Sequence, residues 1–245
     1  MDFRKAYDSV DRRLLVERLA AMGVWGKMLL AVTSMYQQVP MCARVQGQVG
    51  PMFNSSVGVK QGDPLSPLLF GLFIDELEAF MADKAPGVGV SVAERLCQML
   101  LYADDVVLFS ESAADLQLQL NALREFADTK HMSVNVDKTK IVVCQPQPRD
   151  QFTWVYDGLP VESVLEFKYL GIHLHASAGF MGAHEVIKGT AVKAMWGMVR
   201  QLRDREIESV GIRVHMFNTL VMPIMLYGCE IWATRFIPQT PEAPG

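Results

Sequence analysis

The sequence has few cysteines, and their spacing does not indicate a metal or disulfide site. The four cysteines stand at positions 42, 97, 144 and 229, far apart and without a Cys-x-x-Cys pair. Such spacing fits neither a zinc clip nor a disulfide framework, and it suits a reducing compartment. We also expect no signal peptide, because Met1 is followed at once by charged residues.

Long uninterrupted apolar segments are equally scarce. The run over 65–74 is too short to cross a bilayer, and the run over 214–233 contains histidine, asparagine, proline and glutamate. Half of the 245 residues are nevertheless hydrophobic, which is enough for a core and excludes a disordered tail or a collagen-like fibre. We therefore expect a folded, soluble intracellular protein, in the nucleus or the cytoplasm, without a membrane partner.

Positive charge is not in excess either. The formal net charge is −4, from 23 basic and 27 acidic residues, which argues mildly against a nucleic-acid binder. The acidic residues are concentrated, since positions 61–120 hold 10 acidic and 2 basic side chains, whereas positions 1–60 hold 4 and 8. Clustered carboxylates repel one another, so this region must either spread its charges over solvent or neutralise them with a cation.

Helical and strand-like patterns alternate along the chain, which predicts an α+β fold with an antiparallel sheet packed on helices. Ser9 is a candidate N-cap for a first helix, Ser66-Pro67 predicts the start of another, and Ser112 opens a capping box for a third. Strand signals are grouped between positions 141 and 174, and the pattern then becomes helical up to about position 233.

Two neighbouring acids interrupt an apolar stretch in the middle of the chain. Asp104 and Asp105 join apolar runs over 96–103 and 106–109, a pattern that predicts a β-hairpin with the acids at its tip. An ionised carboxylate in apolar surroundings is costly, so the pair needs a reason. Two interpretations stay open, a solvated hairpin tip and a divalent-cation site that would also account for the acidic region.

Two further segments carry residues suited to chemistry. The chain begins Asp2-Phe3-Arg4-Lys5-Ala6-Tyr7-Asp8, which by itself could be the entry to a helix. Positions 58–67 combine glycines with a helix start. Backbone of that kind can approach a phosphate closely, although glycine-rich turns before helices are also common structural devices. Each of these signals is weak alone, whereas their order and content together are specific.

Taken together, these segments resemble the reverse transcriptase of non-LTR (LINE-type) retrotransposons over about residues 2–233. The string Gln-Gly-Asp-Pro-Leu-Ser-Pro is highly specific, and Tyr-Ala-Asp-Asp matches the family's YADD box. The matching segments are, in chain order, the first palm motif at 2–10, the second at 58–70, the YADD box at 102–105, the fourth motif at 133–140, the primer-grip motif at 167–172 and a segment usual near the end of the polymerase region at 227–232.

The resemblance implies a right-hand polymerase fold. It places an α+β palm over residues 1–175 and a helical thumb-like region over 176–245 that ends in a loose proline-rich tail. Members of the family also carry an upstream fingers region and an endonuclease, which this sequence lacks. We therefore expect the fingers to be missing, and we expect the absent segments of a full-length element to act as partners.

The resemblance also implies an RNA-directed DNA polymerase, which extends a DNA primer on an RNA template with deoxynucleoside triphosphates. Two Mg²⁺ ions, or Mn²⁺ in their place, would activate the primer 3′-hydroxyl and stabilise the leaving pyrophosphate. The implied site residues fall into three groups: catalytic and metal-binding Asp2, Asp104 and Asp105; nucleotide-binding Tyr7, Gln61, Gly62 and Lys138; and primer-binding Tyr169, Leu170 and Gly171.

Tyr7 has the most specific implied role among the nucleotide-binding residues, because an aromatic ring beneath the incoming sugar would clash with a ribose 2′-hydroxyl and so select deoxynucleotides.

Two alternatives to an active non-LTR enzyme stay open. One is a catalytically inactive, truncated remnant that keeps the fold. The other is a group II intron-type reverse transcriptase, which the Gln-Gly-Asp-Pro-Leu-Ser-Pro string disfavours.

Overall fold

The computed structural model describes residues 1–146, 152–180 and 182–233. The chain forms two compact units: residues 1–140 with 152–162 make up the first, and the described residues of 141–146 and 163–233 make up the second. Helices and antiparallel hairpins are mixed, as in an α+β fold. The sequence-based division into a palm over 1–175 and a thumb-like region over 176–245 stays a prediction, and the proline-rich tail lies outside the described residues.

The first unit contains six helices and most of the strands among its described residues. Its elements are α1 (Ala6–Ser9), α2 (Arg12–Ala21), α3 (Gly26–Gln37), β1 (Pro40–Val45), β2 (Gln48–Asn54), α4 (Ser66–Ile74), α5 (Leu77–Lys84), β3 (Val90–Val92), β4 (Arg95–Cys97), β5 (Met99–Tyr102), β6 (Asp105–Leu108), α6 (Ala113–Thr129), β7 (Lys140–Ile141), β8 (Val155–Tyr156) and β9 (Leu159–Pro160). The chain leaves this unit at β7.

Two helix starts follow the local sequence rules, and one does not. α4 begins at Ser66 with Pro67 in its first turn, and the Ser112 hydroxyl accepts a hydrogen bond from the Asp115 amide at the start of α6, both as predicted. The helix predicted to run from Ser9 to about Met22 is present as α2, but the prediction that Ser9 caps it is wrong. The chain turns at Val10, which is completely buried, and the Asp11 carboxylate caps α2 instead.

The core of the first unit lies where α2 packs against α4 and where α5 packs against α6. Its largest fully buried side chains are Leu15, Phe70, Phe73, Leu77, Met81, Leu120, Leu123 and Phe126. Burying a side chain of this size contributes roughly 1.5–3 kcal/mol, so this cluster stabilises the packing of these helices.

An ion cluster at the edge of this core links three helices. Glu76, between α4 and α5, pairs with Arg18 of α2 at 2.9 Å and with Lys130 at the end of α6. The Lys130 ammonium also lies over the rings of Phe73 and Phe126. The hydrogen bond from Lys130, together with the charges of Lys130 and Arg18, lowers the pKa of Glu76 despite its partial burial.

The second unit is a hairpin followed by helices. Its elements are β10 (Glu162–Ser163, at the boundary), β11 (Glu166–Tyr169), β12 (Ile172–His175), α7 (Ala183–Asp204), α8 (Val210–Leu220), α9 (Met222–Met225) and α10 (Cys229–Trp232). Met198 and Leu202 of α7 pack against Val221, which joins α8 to α9. None of the described helices is long and apolar enough to cross a membrane.

We predict that Glu76→Gln lowers the free energy of unfolding by about 1 kcal/mol at pH 7, because it leaves Lys130 and Arg18 without their shared carboxylate. Since the folded-state pKa of Glu76 is lowered, this contribution is present above the unfolded-state pKa and is lost as the pH falls through the folded-state value. Urea unfolding at pH 7 and at pH 3.5 measures it. Glu78→Gln, at an exposed position in the first turn of α5, is the matched control. An equal loss of stability for both variants would contradict the prediction.

Candidate active site

Asp2 lies in a short extended segment that pairs with backbone on both sides. On one side it is opposite Asp105, and the Val106 amide donates to the Met1 carbonyl at 3.1 Å. On the other side Phe3 is opposite Val134, and the Asn135 amide donates to the Asp2 carbonyl at 2.8 Å. The backbone therefore fixes Asp2 between the β5–β6 hairpin and the segment that follows α6.

The β5–β6 hairpin carries the other two acids at its tip. Tyr102 pairs with Asp105, so the connecting turn consists of Ala103 and Asp104 alone. Ala103 has a φ of +53°, a left-handed conformation that costs a residue with a side chain roughly 1–2 kcal/mol. The predicted hairpin is confirmed. Asp104 is in the turn, whereas Asp105 is the first residue of β6.

Asp2 and Asp104 line the same pocket, which has a volume of about 450 Å³. Three of the four predicted nucleotide-binding residues, Tyr7, Gln61 and Lys138, line it as well. Asp105 and Gly62 are not among the lining residues, although each directly follows one that is. The remaining lining residues are Phe3, Arg4, Lys5, Asp8 and Asn135. The first unit thus brings together residues from four separate sequence motifs.

Tyr7 is held by the protein core rather than by polar partners. Its ring stacks on Phe70 of α4, with 4.9 Å between the ring centroids and 27° between the planes. Burial, and then the negative charge of Asp104, raise the pKa of its hydroxyl. The ring therefore stays neutral and has a fixed orientation at the wall of the pocket, close enough to Asp104 to be influenced by its charge.

Gln61 reaches the pocket on a loop that is hydrogen-bonded to α1. Its amide nitrogen donates to the Asp8 carboxylate at 2.8 Å. Two residues before it, the Val59 amide donates to the Tyr7 carbonyl at 2.8 Å. Gly58 has a φ of +83°, and a Cβ there would lie 2.7 Å from the Asp8 carbonyl oxygen. Only glycine allows the loop to approach α1 this closely.

Asp105, the second of the two hairpin acids, is partly buried and lies close to other carboxylates. Partial burial, and then repulsion from Asp104, raise the pKa of its carboxyl group, and the charge of Asp2 acts in the same direction. No three His, Cys, Asp or Glu side chains lie close enough to hold a metal ion by themselves in the described parts of the chain. Mg²⁺ is usually bound by one or two carboxylates together with substrate phosphates, so Asp2 and Asp104 fit that cation as a partial site.

Two polar groups of the pocket are left incompletely satisfied. The Lys138 ammonium pairs with the Asp2 carboxylate at 3.3 Å, but 70% of its side chain is exposed, so the pair is weak. The buried Asn135 side-chain oxygen accepts no hydrogen bond from a described residue. Sequence reasoning placed Asn135 in the fourth motif without giving it a role. Asn135 lines the pocket, so this oxygen can accept a hydrogen bond from a ligand there.

The three predicted primer-binding residues lie in the second unit, around the β11–β12 turn. Leu170 and Gly171 form a two-residue turn in which both φ values are positive, +45° and +83°, as in a type I′ hairpin. The Tyr227 hydroxyl donates to the Leu170 carbonyl at 2.6 Å, and a Cβ on Gly171 would lie 3.0 Å from the Tyr227 ring. Tyr227, which the sequence placed only in a terminal motif, therefore braces this turn.

A family model described as reverse transcriptase (RNA-dependent DNA polymerase) matches residues 1–174, which include the pocket and the β11–β12 turn. The chain belongs to the reverse transcriptase family. The resemblance inferred from the sequence motifs is confirmed, and it extends well beyond the YADD box.

The relatives of this reverse transcriptase domain are Pol proteins of non-LTR retrotransposons. It is 25% identical to an R2 retrotransposable element Pol polyprotein from Popillia japonica over 94% of the chain, and 31% identical to the R2DM Pol polyprotein from Drosophila melanogaster over 72%. It is 21% identical to the RNA-directed DNA polymerase of the mobile element jockey from Drosophila melanogaster over 95%. The chain spans only 38%, 17% and 25% of those three proteins.

We predict that Asp105→Asn raises the melting temperature of the reverse transcriptase domain at pH 7 in the presence of EDTA. The raised folded-state pKa means that ionised Asp105 destabilises the fold above that pKa, and that the cost disappears as the pH falls through it. The gain should therefore shrink in parallel melts at lower pH. Glu111→Gln, an exposed change of the same charge, is the control. A gain that does not depend on pH would contradict the assigned cause.

Proposed function

We propose that this reverse transcriptase domain is an active RNA-directed DNA polymerase of a non-LTR retrotransposon, which adds deoxynucleotides to a primer 3′-hydroxyl on an RNA template. The observation that supports this most directly is the shared pocket of Asp2 and Asp104, with Tyr7, Gln61 and Lys138 on its walls. Because related proteins are much longer, the domain would act within a larger Pol protein, in the nucleus or the cytoplasm.

Asp2 and Asp104 are the proposed metal ligands, with Asp105 beside them. Bound there, Mg²⁺ or Mn²⁺ would supply Lewis-acid activation of the attacking 3′-hydroxyl and would neutralise charge on the leaving pyrophosphate. The protein's part is to hold two carboxylates from distant positions of the chain in one pocket, which their backbone pairing achieves. Asp105 adds negative potential from the neighbouring strand, which favours a cation between them.

The nucleotide would be bound by the other walls of the pocket. Tyr7, fixed on Phe70, offers a rigid ring against the sugar and excludes a ribose 2′-hydroxyl. Gln61 and the adjacent Gly62 would lie against the incoming nucleotide and the template base. Lys138, exposed and only weakly paired, is available to a triphosphate, which is a stronger partner than a single carboxylate.

Primer binding is proposed for the turn of the β11–β12 hairpin. Tyr169, Leu170 and Gly171 form or flank a turn whose backbone is fixed by its positive φ values and by Tyr227. A rigid turn with exposed backbone groups can hold the sugar-phosphate end of a strand without reading its sequence. In the polymerase interpretation, residues 1–175 form the palm, and the helices after β12 belong to the thumb-like region over 176–245.

Primer extension tests the proposed activity. The parent chain, with Mg²⁺ or Mn²⁺, should extend oligo-dT on a poly-rA template, and Asp104→Asn should reduce extension at least a hundredfold because it removes a metal ligand. Asp83→Asn makes the same change of charge at an exposed position on α5 and should leave the rate unchanged.

The remnant interpretation makes the opposite prediction for the same assay. Absence of extension by a chain that melts cooperatively would contradict the proposed activity and support an inactive remnant. Equal extension by the parent and by Asp104→Asn would contradict the assignment of Asp104. Extension by the parent and by Asp83→Asn with Mg²⁺ or Mn²⁺, together with loss of extension in Asp104→Asn, would establish a metal-dependent polymerase.

We also predict that Lys138→Gln strengthens Mn²⁺ binding by a few-fold at most, because Lys138 competes with the cation for Asp2 and an exposed pair is worth about 0–1 kcal/mol. Electron paramagnetic resonance of free Mn²⁺ measures the affinity without requiring activity. Lys5→Gln is the matched control, since Lys5 lines the same pocket and forms no ion pair with a described residue. Equal effects of the two changes would mean that only the general charge of the pocket matters.

A further inference from the structure

Arg12, the first residue of α2, uses all of its hydrogen-bond donors on neutral acceptors. Nε donates to the Gly58 carbonyl at 2.8 Å, and Nη1 donates to the carbonyls of Ser55 at 2.7 Å and Tyr36 at 3.1 Å. Nη2 donates to the Val57 carbonyl at 2.9 Å and to the Ser55 hydroxyl at 3.3 Å. A guanidinium group has five N–H donors, so each of them has an acceptor here.

The acceptors identify what Arg12 holds in place. Four belong to the loop over 55–58, and the fifth is the carbonyl of Tyr36 in the last turn of α3. The Tyr36 ring also lies under the guanidinium group, 5.4 Å from its carbon to the ring centroid. None of the acceptors is a carboxylate, so the charge of Arg12 is directed at backbone dipoles rather than at an ion pair. This geometry is suited to fixing the conformation of a loop.

The loop that Arg12 holds leads directly into the candidate active site. The Gly58 amide donates to the Val10 carbonyl, and the Val59 amide donates to the Tyr7 carbonyl, both at 2.8 Å. Two residues later, Gln61 is hydrogen-bonded to Asp8 at the wall of the pocket. Arg12 is thus attached to the same loop whose far end carries Gln61, and whose backbone pairs with Tyr7.

We propose that Arg12 is a positioning residue for the incoming nucleotide. It holds the 55–58 loop against α1, and thereby sets the positions of Gln61 and Tyr7, without itself lining the pocket. The inference rests on the proposed polymerase function. The affinity for the deoxynucleoside triphosphate then depends on a guanidinium group that the nucleotide does not touch.

Lysine cannot replace arginine in this role. An ammonium group has three donors on a single atom, so it can satisfy at most three of the five acceptors, and it cannot reproduce the planar fork that spans Gly58, Ser55 and Tyr36. Arg12→Lys therefore keeps the charge and most of the volume but cannot form this set of five hydrogen bonds, which we call the clamp. The neighbouring Arg13 provides the matched control, because its side chain is exposed and its one ion pair with a described residue is to Glu17 on the same helix.

The test compares Arg12→Lys with Arg13→Lys in steady-state primer extension. We expect Arg12→Lys to raise the KM for dTTP by roughly tenfold, since small displacements of positioning groups have effects of this size or larger. The dissociation constant for template–primer should change far less, because Gln61 and Gly62 are proposed to touch a single template base, and the primer contacts proposed for the β11–β12 turn are unaltered. Arg13→Lys should change neither quantity. An unchanged KM for dTTP in Arg12→Lys would overturn the proposal.

Amide hydrogen exchange gives a second readout that does not require activity. In Arg12→Lys the amides of Gly58 and Val59 should exchange faster, while those of α6 keep their protection. Ser55→Ala removes one of the five acceptors and should shift the same amides in the same direction, by less. It serves as the milder variant if Arg12→Lys does not fold.

The two readouts separate the possible failures. A parent chain that extends no primer contradicts the proposed function alone, and the exchange experiment still tests the clamp. Unchanged exchange at Gly58 and Val59 overturns the role of Arg12, whatever the activity. Faster exchange with an unchanged KM shows that the clamp exists but does not set nucleotide affinity, and this also overturns the proposal.

Discussion

The candidate active site depends on the pairing of one short backbone segment with its neighbours on both sides. Asp2 and Asp104 are about a hundred positions apart, and they line one pocket because the segment that carries Asp2 pairs with β6 on one side and with residues 133–135 on the other. The second of these pairings also brings Lys138 to the pocket. Backbone hydrogen bonds are insensitive to side-chain identity, so this framework can carry a cluster of charges that side-chain packing alone would oppose.

That cluster has a cost, which the electrostatics of the site make visible. Asp2, Asp104 and Asp105 repel one another, and the repulsion, added to partial burial, raises the pKa of Asp105. Ala103 adds backbone strain at the same turn. A strained backbone and repelling charges persist at one site only where the surrounding structure holds them in place. Such features are typically found at functional sites. A weak ion pair with the exposed Lys138 does little to relieve the repulsion, whereas a divalent cation would remove it.

The sequence predicted those features that depend on near neighbours. The start of α4, the cap of α6 and the β5–β6 hairpin follow from residues within a few positions of one another. Ser9 was wrong as the cap of α2, because the chain turns at the buried Val10 and the helix begins only after Asp11. The members of the pocket came from family resemblance. Arg12 was missed because its acceptors are 24 to 46 positions away, although a cation at a helix N-terminus, where the dipole opposes it, was a signal that the residue serves another purpose.

The pocket is therefore built in two ways that respond differently to a ligand. Its proposed metal-binding wall consists of charged groups, and their arrangement would change on binding of a cation, because Lys138 and the cation would compete for Asp2. Its proposed nucleotide-binding wall is held by contacts other than ion pairs: Tyr7 on Phe70, Gly58 against Asp8, and the loop carbonyls on Arg12. Such contacts do not depend on which ions are bound. A wall that stays fixed while the charges beside it rearrange can select the shape of a nucleotide before and after the metal arrives, and this is what discrimination by geometry requires.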